Sequence, residues 1–575
     1  MAADIEGMPA RLTALLIIAV AALAAPAAAS ASPSAGNLVP ANKLLYVQQG
    51  SALGEVQSMS SVPLGFTASA GQAVLAAEHS KTMQALHRRI HPLHVYPYVW
   101  RSEHPYWYVY FTHESKIVAT ADVSPAGKVT GVWTGSEAIA SYAHGGWAWS
   151  VTSWWIFVPA ALLFMLVFFD PRRLWRMAHL DALAILGFLA SYFLLADQHL
   201  YAAVWLAYPP LIYLLVRLFA LGFGRGSSRG RLAPLLSTRT LLVGLPLILA
   251  ARIVLSLVGQ QEIDVGYESV IGAFRILHHL PIYYNDPNHG DTYGPITYLV
   301  YVPFELIFPW KNSLSNLDAA NLAAIVFDLG TIAGLFLLGR RLRGGPEGTR
   351  LGLVLAWAWA ACPFTIISLT VHTNDGLISM LTVFAVVLFT RPLASGALLG
   401  LAAAAKFSPA GLLPLLAAPR QRGWKGALSC VLVFAAVVAL AIYAWLPPQG
   451  FAYFWQRTIH FQMIRADVFS PWALHPSLHP LQTALEVLAV LVAGAVAFVP
   501  RQRSLVQLCA LAGAVTIAIQ LPATHWYYYY IMWFLPFALV AFAARPALAP
   551  APATEAARRE WTIQPAEHEP AMAGA

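Results

Sequence analysis

The sequence predicts a polytopic α-helical membrane protein of about eleven spans plus a short hairpin, with a small α+β domain on its non-cytoplasmic side. Three observations carry this. First, 58% of the 575 residues are hydrophobic and 11% charged, with a mean hydropathy of +0.60, more apolar surface than a soluble core can hide. Second, long apolar runs are separated by short basic clusters that recur after every second run, as expected where Lys and Arg stay in the cytoplasm. Third, residues 32–148 depart from this pattern and show strand-like alternation. The net charge of +8 does not point to a nucleic-acid partner, because the basic residues lie between apolar runs rather than on one face.

The elements follow in order. Residues 1–31 contain an apolar run ending in Ala29-Ser30-Ala31 and read as a secretory signal, with an uncleaved anchor as the alternative. Within 32–148 the expectation is a helix over Gly71–Ile90 and then strands over HPYWYVYFT, KIVATADV and KVTGVWTG. His87, His91, His94, His104 and His113 fall here without a closed zinc spacing or a cysteine, and read as surface or packing histidines. Residues 149–239 give three spans (151–169, 180–196, 202–221) whose cytoplasmic loops carry Arg172, Arg173, Arg176, Arg225, Arg229, Arg231 and Arg239.

Residues 240–545 form the main membrane core. Spans are expected at 240–258, 318–339, 351–369, 376–390, 427–446, 479–499, 504–521 and 526–544. Between Arg391 and Arg420 there is too little chain for two full spans, so a short hairpin broken at Lys406–Pro409 is expected, its apex buried in protein. Cys362, Cys430 and Cys509 all fall in spans and imply no disulfide framework. Residues 546–575 are rich in Ala, Pro and Glu and read as a disordered tail.

Chemistry is expected in the outer segment 260–316, which concentrates carboxylates, imidazoles and tyrosines where a structural protein needs only a polar loop. Asp264 follows the end of a span closely, which would hold its carboxylate at the lip of the bilayer. Asp286, His289 and Asp291 precede Tyr293-Gly294-Pro295, and the aromatic, proline-broken run after them is expected to lie along the interface or re-enter. Aromatic faces beside a few acids also suit sugars. Asn374 and Asp375 read first as N-capping residues, and His525 with Tyr527–Tyr530 first as an aromatic belt.

An Asp after a membrane helix, an outer helix ending in Leu-Pro-Ile-Tyr, then Tyr-Gly-Pro and Pro-Phe, resembles the GT-C glycosyltransferases, most closely the mannosyltransferase-like glycosyltransferase family 87 of bacteria. Gly400–Pro409, Phe454–Arg465 and His525–Pro536 extend the resemblance over about 240–545. More loosely, the helix-then-strand order with its WTG resembles PepSY-like envelope domains. The glycosyltransferase resemblance implies transfer of a sugar from a polyprenyl-phosphate donor to an outer glycan, lipid or protein acceptor at the bacterial cytoplasmic membrane. It implies Asp264 as general base and an inverting displacement. Tyr267, His289, Asp291, Tyr293, Gln462 and His525 are candidate substrate contacts, and Lys406, Arg457 and Arg465 are candidate cations for the departing phosphate. No cofactor is required, although Asp291 could either position the base or join it on a divalent metal. The alternative function is a transporter or flippase of a lipid-linked sugar, which would place its charges nearer mid-bilayer and show repeated halves.

Overall fold

The computed structural model describes residues 53–543 apart from 57, 101–104, 114–115, 135–153, 197–198, 226–231, 259–262, 285–290, 312–316 and 465–468. The signal run, the tail, Asp286, His289, His104 and Arg465 therefore lie outside the described residues, as does the side chain of Asp264.

The N-terminal domain, expected from the sequence to be outer, runs β1 (Leu53–Glu55), α1 (Ala70–Glu78), α2 (Lys81–His87), β2 (His94–Trp100), β3 (Tyr106–His113), β4 (Lys116–Val123) and β5 (Val129–Thr134), with the strands paired as an antiparallel meander in chain order. The single helix expected over 71–90 is two. Ser69 and Gln72 cap the first reciprocally, and Ser80 accepts from the Met83 amide to start the second, a cap that competes with continuing the first helix. Strand β2 is not legible in the sequence because Pro97 interrupts it. Among the described residues β1 pairs only with Tyr98–Trp100, so Pro97 lies just beyond that pairing, where a strand can spare a donor.

One face of the sheet is the core. Trp107, Val109, Phe111, Ala119, Ala121 and Val123 pack against Phe66, Ala70, Ala73, Ala77 and Met83, with alanines on both sides letting helix and sheet approach closely. On the other face Asp122 is partly buried, and burial pushes its carboxyl up to about 6. Burial and the nearby Asp122 together raise the Tyr106 hydroxyl.

The membrane part continues with α3 (Trp154–Phe168), α4 (Met177–Ala196), α5 (Leu200–Gly222), α6 (Thr238–Val258), α7 (Asp264–Leu277), α8 (Pro295–Leu299), α9 (Val302–Ile307), α10 (Asp318–Arg343), α11 (Gly345–Ala361), α12 (Pro363–Thr370), α13 (Asp375–Val387) and α14 (Pro392–Ala405). After a 3-10 turn at Ser408–Leu412 come α15 (Leu413–Leu416), α16 (Pro419–Ala444), α17 (Phe451–Trp455), a π turn at Gln456–His460, α18 (Phe461–Ile464), α19 (Pro471–Leu474), α20 (His479–Ala495), α21 (Leu505–Gln520) and, after Tyr528–Tyr530, α22 (Ile531–Ala543). Among the described residues five helices (α4, α5, α6, α10 and α16) are long and apolar enough to cross a membrane, and a sixth span results if α11 and α12 are counted together. Exposed Leu and Val on α6, α16 and α20, such as Leu247, Leu432 and Val490, form surface suited to lipid.

The span expected at 351–369 is not straight: α11 and α12 meet at Cys362–Pro363 with a 60° bend. Pro363 cannot continue the ladder, and the freed groups are met by a buried polar cluster. Arg252 on α6 donates to Ala360 O (2.6 Å), Thr365 Oγ1 (2.9 Å) and Asp328 Oδ1 (2.7 Å), while Trp359 Nε1 also reaches Asp328 Oδ1 (2.8 Å). One turn further along α6, Ser256 Oγ donates to Asn321 Oδ1 and Leu369 O. These bonds tie α6 and α10 to the bent pair and so set where the chain leaves α12.

The first three membrane helices are packed into the core. Leu218 of α5 lies against Gly513 of α21, and Ser191 Oγ of α4 shares a 2.6 Å bond with the Tyr528 hydroxyl. Tyr527, Tyr528 and Tyr529 are buried, so the aromatic-belt expectation for this turn is overturned; neighbouring helices, not lipid, cover these rings.

Candidate functional site

The chain leaving α12 turns through His372, whose φ of 53° lies in the left-handed region, and delivers Asn374 and Asp375 to the start of α13. Asn374 occupies the N-cap position, but its side chain makes no cap; Nδ2 instead donates to Ser269 Oγ of α7 (3.0 Å). The capping reading of this pair is therefore corrected. At the start of α13 the Asp375 amide instead meets Thr373 Oγ1 (3.4 Å).

Asp375 faces the break in the hairpin. Its Oδ1 accepts from Lys406 Nζ (2.5 Å) and from Trp533 Nε1 (2.9 Å). The expected break at Lys406 is present: α14 ends at Ala405, and Lys406 takes an extended conformation. Its ammonium lies 5.3 Å from the centroids of both the Tyr293 and Trp533 rings. Trp533 stacks on Tyr530 (4.5 Å), whose ring lies 5.8 Å from that of His525, itself 5.7 Å from Phe469. Three expected site residues, Tyr293, Lys406 and His525, thus join one cluster through Asp375 and Trp533.

The depth of this cluster follows from helix length. α13 has 13 residues and α14 has 14, so each reaches about 20 Å, short of a hydrocarbon layer roughly 30 Å thick. At their opposite ends Arg341 bonds to Val387 O and Thr390 Oγ1, which fixes the arginine-bearing side. Starting from that side, helices this short end before they could cross a full hydrocarbon layer, and Asp375 and Lys406 lie at those ends.

A second cluster sits on the outer segment. Arg457, on the π turn, clamps the Asp291 carboxylate with Nε (3.0 Å to Oδ2) and Nη2, and the Tyr284 amide donates to Asp291 Oδ2 (3.1 Å). Arg275 of α7 lies 3.6 Å over the Tyr284 ring and donates to Pro281 O, and Gln462 Nε2 reaches Thr292 Oγ1 (3.3 Å). The two clusters meet at Gly294: its amide donates to Ala405 O, and a Cβ there would lie 2.0 Å from Ala404 O. Only glycine lets the proline-led α8 dock on the end of α14. The run expected to lie along the interface or re-enter is packed within the protein here, with α8 fully buried.

α7 closes the arrangement from the outer side. Asp264 is its first residue, and a Cβ at Gly266 would come within 2.8 Å of His372 O, so the first turn of α7 rests on the loop leading to Asp375. Tyr267 on the same turn is buried. Residues that sequence reading did not single out are Trp533, Ser269 and the Arg252–Asp328 pair. For the last two the signal was present, as a charge inside each of two spans. Among the described residues no three His, Cys, Asp or Glu side chains converge as a metal site.

The family model described as glycosyltransferase family 87 matches residues 292–522; no curated protein and no solved structure matches the chain. The outer domain and Asp264 lie before the matched segment, whereas Tyr293, Asp375, Lys406 and Arg457 lie within it. Over residues 292–522 the chain is similar to glycosyltransferase family 87, and together with its apolar helices that similarity supports a membrane glycosyltransferase.

Proposed function

We propose that the protein moves a hexose from a polyprenyl-phosphate donor to a hydroxyl of a glycan, lipid or protein on the outer side of a bacterial cytoplasmic membrane. The observation that carries the reading is the seating of the first turn of α7, which begins with Asp264, on the His372 loop that leads to the Asp375–Lys406 pair. A carboxylate beside the acceptor and an ammonium at membrane depth are what a lipid-borne phosphate leaving group calls for.

In this mechanism the acceptor hydroxyl gives its proton to Asp264 as its oxygen attacks the anomeric carbon. The bond from that carbon to the phosphate oxygen breaks, and the phosphate leaves with the electron pair. Lys406 steadies the charge that develops, and the single displacement inverts the anomeric centre. Arg457 is committed to Asp291 on both arms of its fork, so its role is to hold the outer loops together around the substrate. Arg465 stays a candidate second cation. Tyr267, His289, Tyr293, Gln462 and His525 are candidate contacts to the sugar and carrier.

Membranes containing the protein, incubated with polyprenyl-phosphate hexoses, should consume donor and release polyprenyl phosphate. Asp264→Asn should slow this by roughly 10² to 10⁴-fold, the range for loss of a general base, at unchanged protein level. A donor that crosses the membrane chemically intact would instead establish the transporter.

A further inference from the structure

The outer domain has a second sheet face, opposite the one covered by α1 and α2. Strand alternation puts Tyr96 and Tyr98 of β2, Tyr106, Tyr108 and Tyr110 of β3, Thr120 and Asp122 of β4, and Gly131 and Trp133 of β5 on it. Register aligns them in two rows across the strands. Tyr98 lies opposite Tyr108, which lies opposite Asp122 and then Gly131; Tyr96 lies opposite Tyr110, then Thr120 and Trp133.

The tyrosines form a stack, with Tyr110 between Tyr96 (5.0 Å) and Tyr98 (5.3 Å) and the Tyr98 and Tyr110 hydroxyls 3.2 Å apart. Tyr96 is 43% exposed at its outer edge. The Trp133 ring folds back over Gly131, where a Cβ would lie 2.3 Å from Cη2, and so rests beside Asp122. Among the described residues Asp122 Oδ1 and the hydroxyl of Thr120, a residue with no exposed surface, are buried on this face with no hydrogen-bond partner. A solvated sheet face does not leave such groups dry and unbonded.

The composition of the face selects its occupant. The strand register places no Lys or Arg for a phosphate, nucleic acid or anionic lipid on it; it also places Leu53 and Glu55 of β1, Trp100 of β2 and Ile117 of β4 on this face. Rings and hydroxyls that predominate beside a carboxylate are complementary to a neutral sugar, whose C–H faces pack on rings and whose adjacent hydroxyls donate to an acid. We propose that the tyrosine face of the outer domain, centred on Asp122 and Trp133, binds a neutral oligosaccharide. This site is separate from the membrane cluster and holds a saccharide of the acceptor or product chemical class without acting on it. Donor turnover can therefore succeed or fail independently of it.

The test titrates the full-length protein in detergent with maltotriose, cellotriose, mannotriose and chitotriose, read by calorimetry and saturation-transfer NMR. At least one should bind saturably. Trp133→Ala and Asp122→Ala should each weaken that binding by roughly tenfold or more, equivalent to one good contact. Thr82→Ala, on the helix side, should leave it unchanged. Since truncation can loosen a sheet, Trp133→Phe and Asp122→Asn are measured alongside and should keep part of the affinity without lowering the melting temperature. The proposal is overturned if none of the four sugars binds, if binding survives both alanine variants, or if the face proves to dock on sugar-free lipid vesicles.

Discussion

Two of the ion pairs buried in the membrane region, Arg252–Asp328 and Lys406–Asp375, are built differently. Arg252–Asp328 joins the middles of two long helices, and Arg252 spends its terminal nitrogens on Asp328, Thr365 and the Ala360 carbonyl, while Trp359 also holds Asp328. Lys406–Asp375 joins the ends of two short helices; among the described residues Asp375 receives the one hydrogen bond Lys406 makes, and the ammonium otherwise lies 5.3 Å from the centroids of two aromatic rings. A buried charge that is satisfied on all but one nitrogen secures a bend. One that keeps donors in reserve at a break in the chain is free to meet a substrate.

Breaking the first pair should have the largest effect. Arg252→Met leaves Asp328 as a lone buried carboxylate and should cost about 3–5 kcal/mol, seen as loss of folded protein in membranes, whereas Arg252→Met with Asp328→Leu should recover much of it. If the single variant accumulates normally and keeps its melting temperature, the pair does not hold the bend.

Changing the second pair should act on rate more than on folding. Lys406→Met with Asp375→Asn, a neutral replacement, should leave protein level and melting near wild type while donor turnover falls by roughly 10² to 10³-fold, the cost of losing charge stabilisation at a leaving group. Full activity in that double variant would reduce the pair to a structural role. A smaller effect is expected at the junction of the clusters: Gly294→Ala puts a methyl into the Ala404 carbonyl and should destabilise by about 1–3 kcal/mol, with turnover dropping as Tyr293 shifts. Unaltered turnover and melting would show that α8 can dock without the close approach.

The smallest effect contrasts the membrane acids with Asp122, which has no cation. Its folded pKa of about 6 lies above the ordinary carboxylate value, so the folded domain holds the extra proton and loses stability as pH rises from about 4 to 6. Asp122→Asn should remove this dependence and stabilise the sheet at pH 7 by about 1 kcal/mol, allowing for solvent screening. Hydrogen exchange of the β3 and β4 amides across that pH range checks it; a domain that gains stability with rising pH would contradict the sign.

Much of this was legible in the chain. The break at Lys406–Pro409 followed from a length argument, since too few residues separate two basic clusters for two crossings. Strand β2 was hidden by Pro97, whose tolerance depends on where β1 stops. Asp375 looked like a capping residue because Asn-Asp before an apolar run has that form; its real partners, Lys406 and Trp533, are 31 and 158 residues away. The buried tyrosines at 527–529 looked like a belt because an aromatic run before a span cannot show whether lipid or protein surrounds it.

By itself the sequence determined the solvent, the alternation of basic loops and the places where helices must break, because hydrophobic length and proline act locally along the chain. Only the tertiary structure decided which charges meet. Pairing within a bilayer depends on helix ends brought to the same depth by short helices and close glycine contacts, and no local pattern encodes that distance.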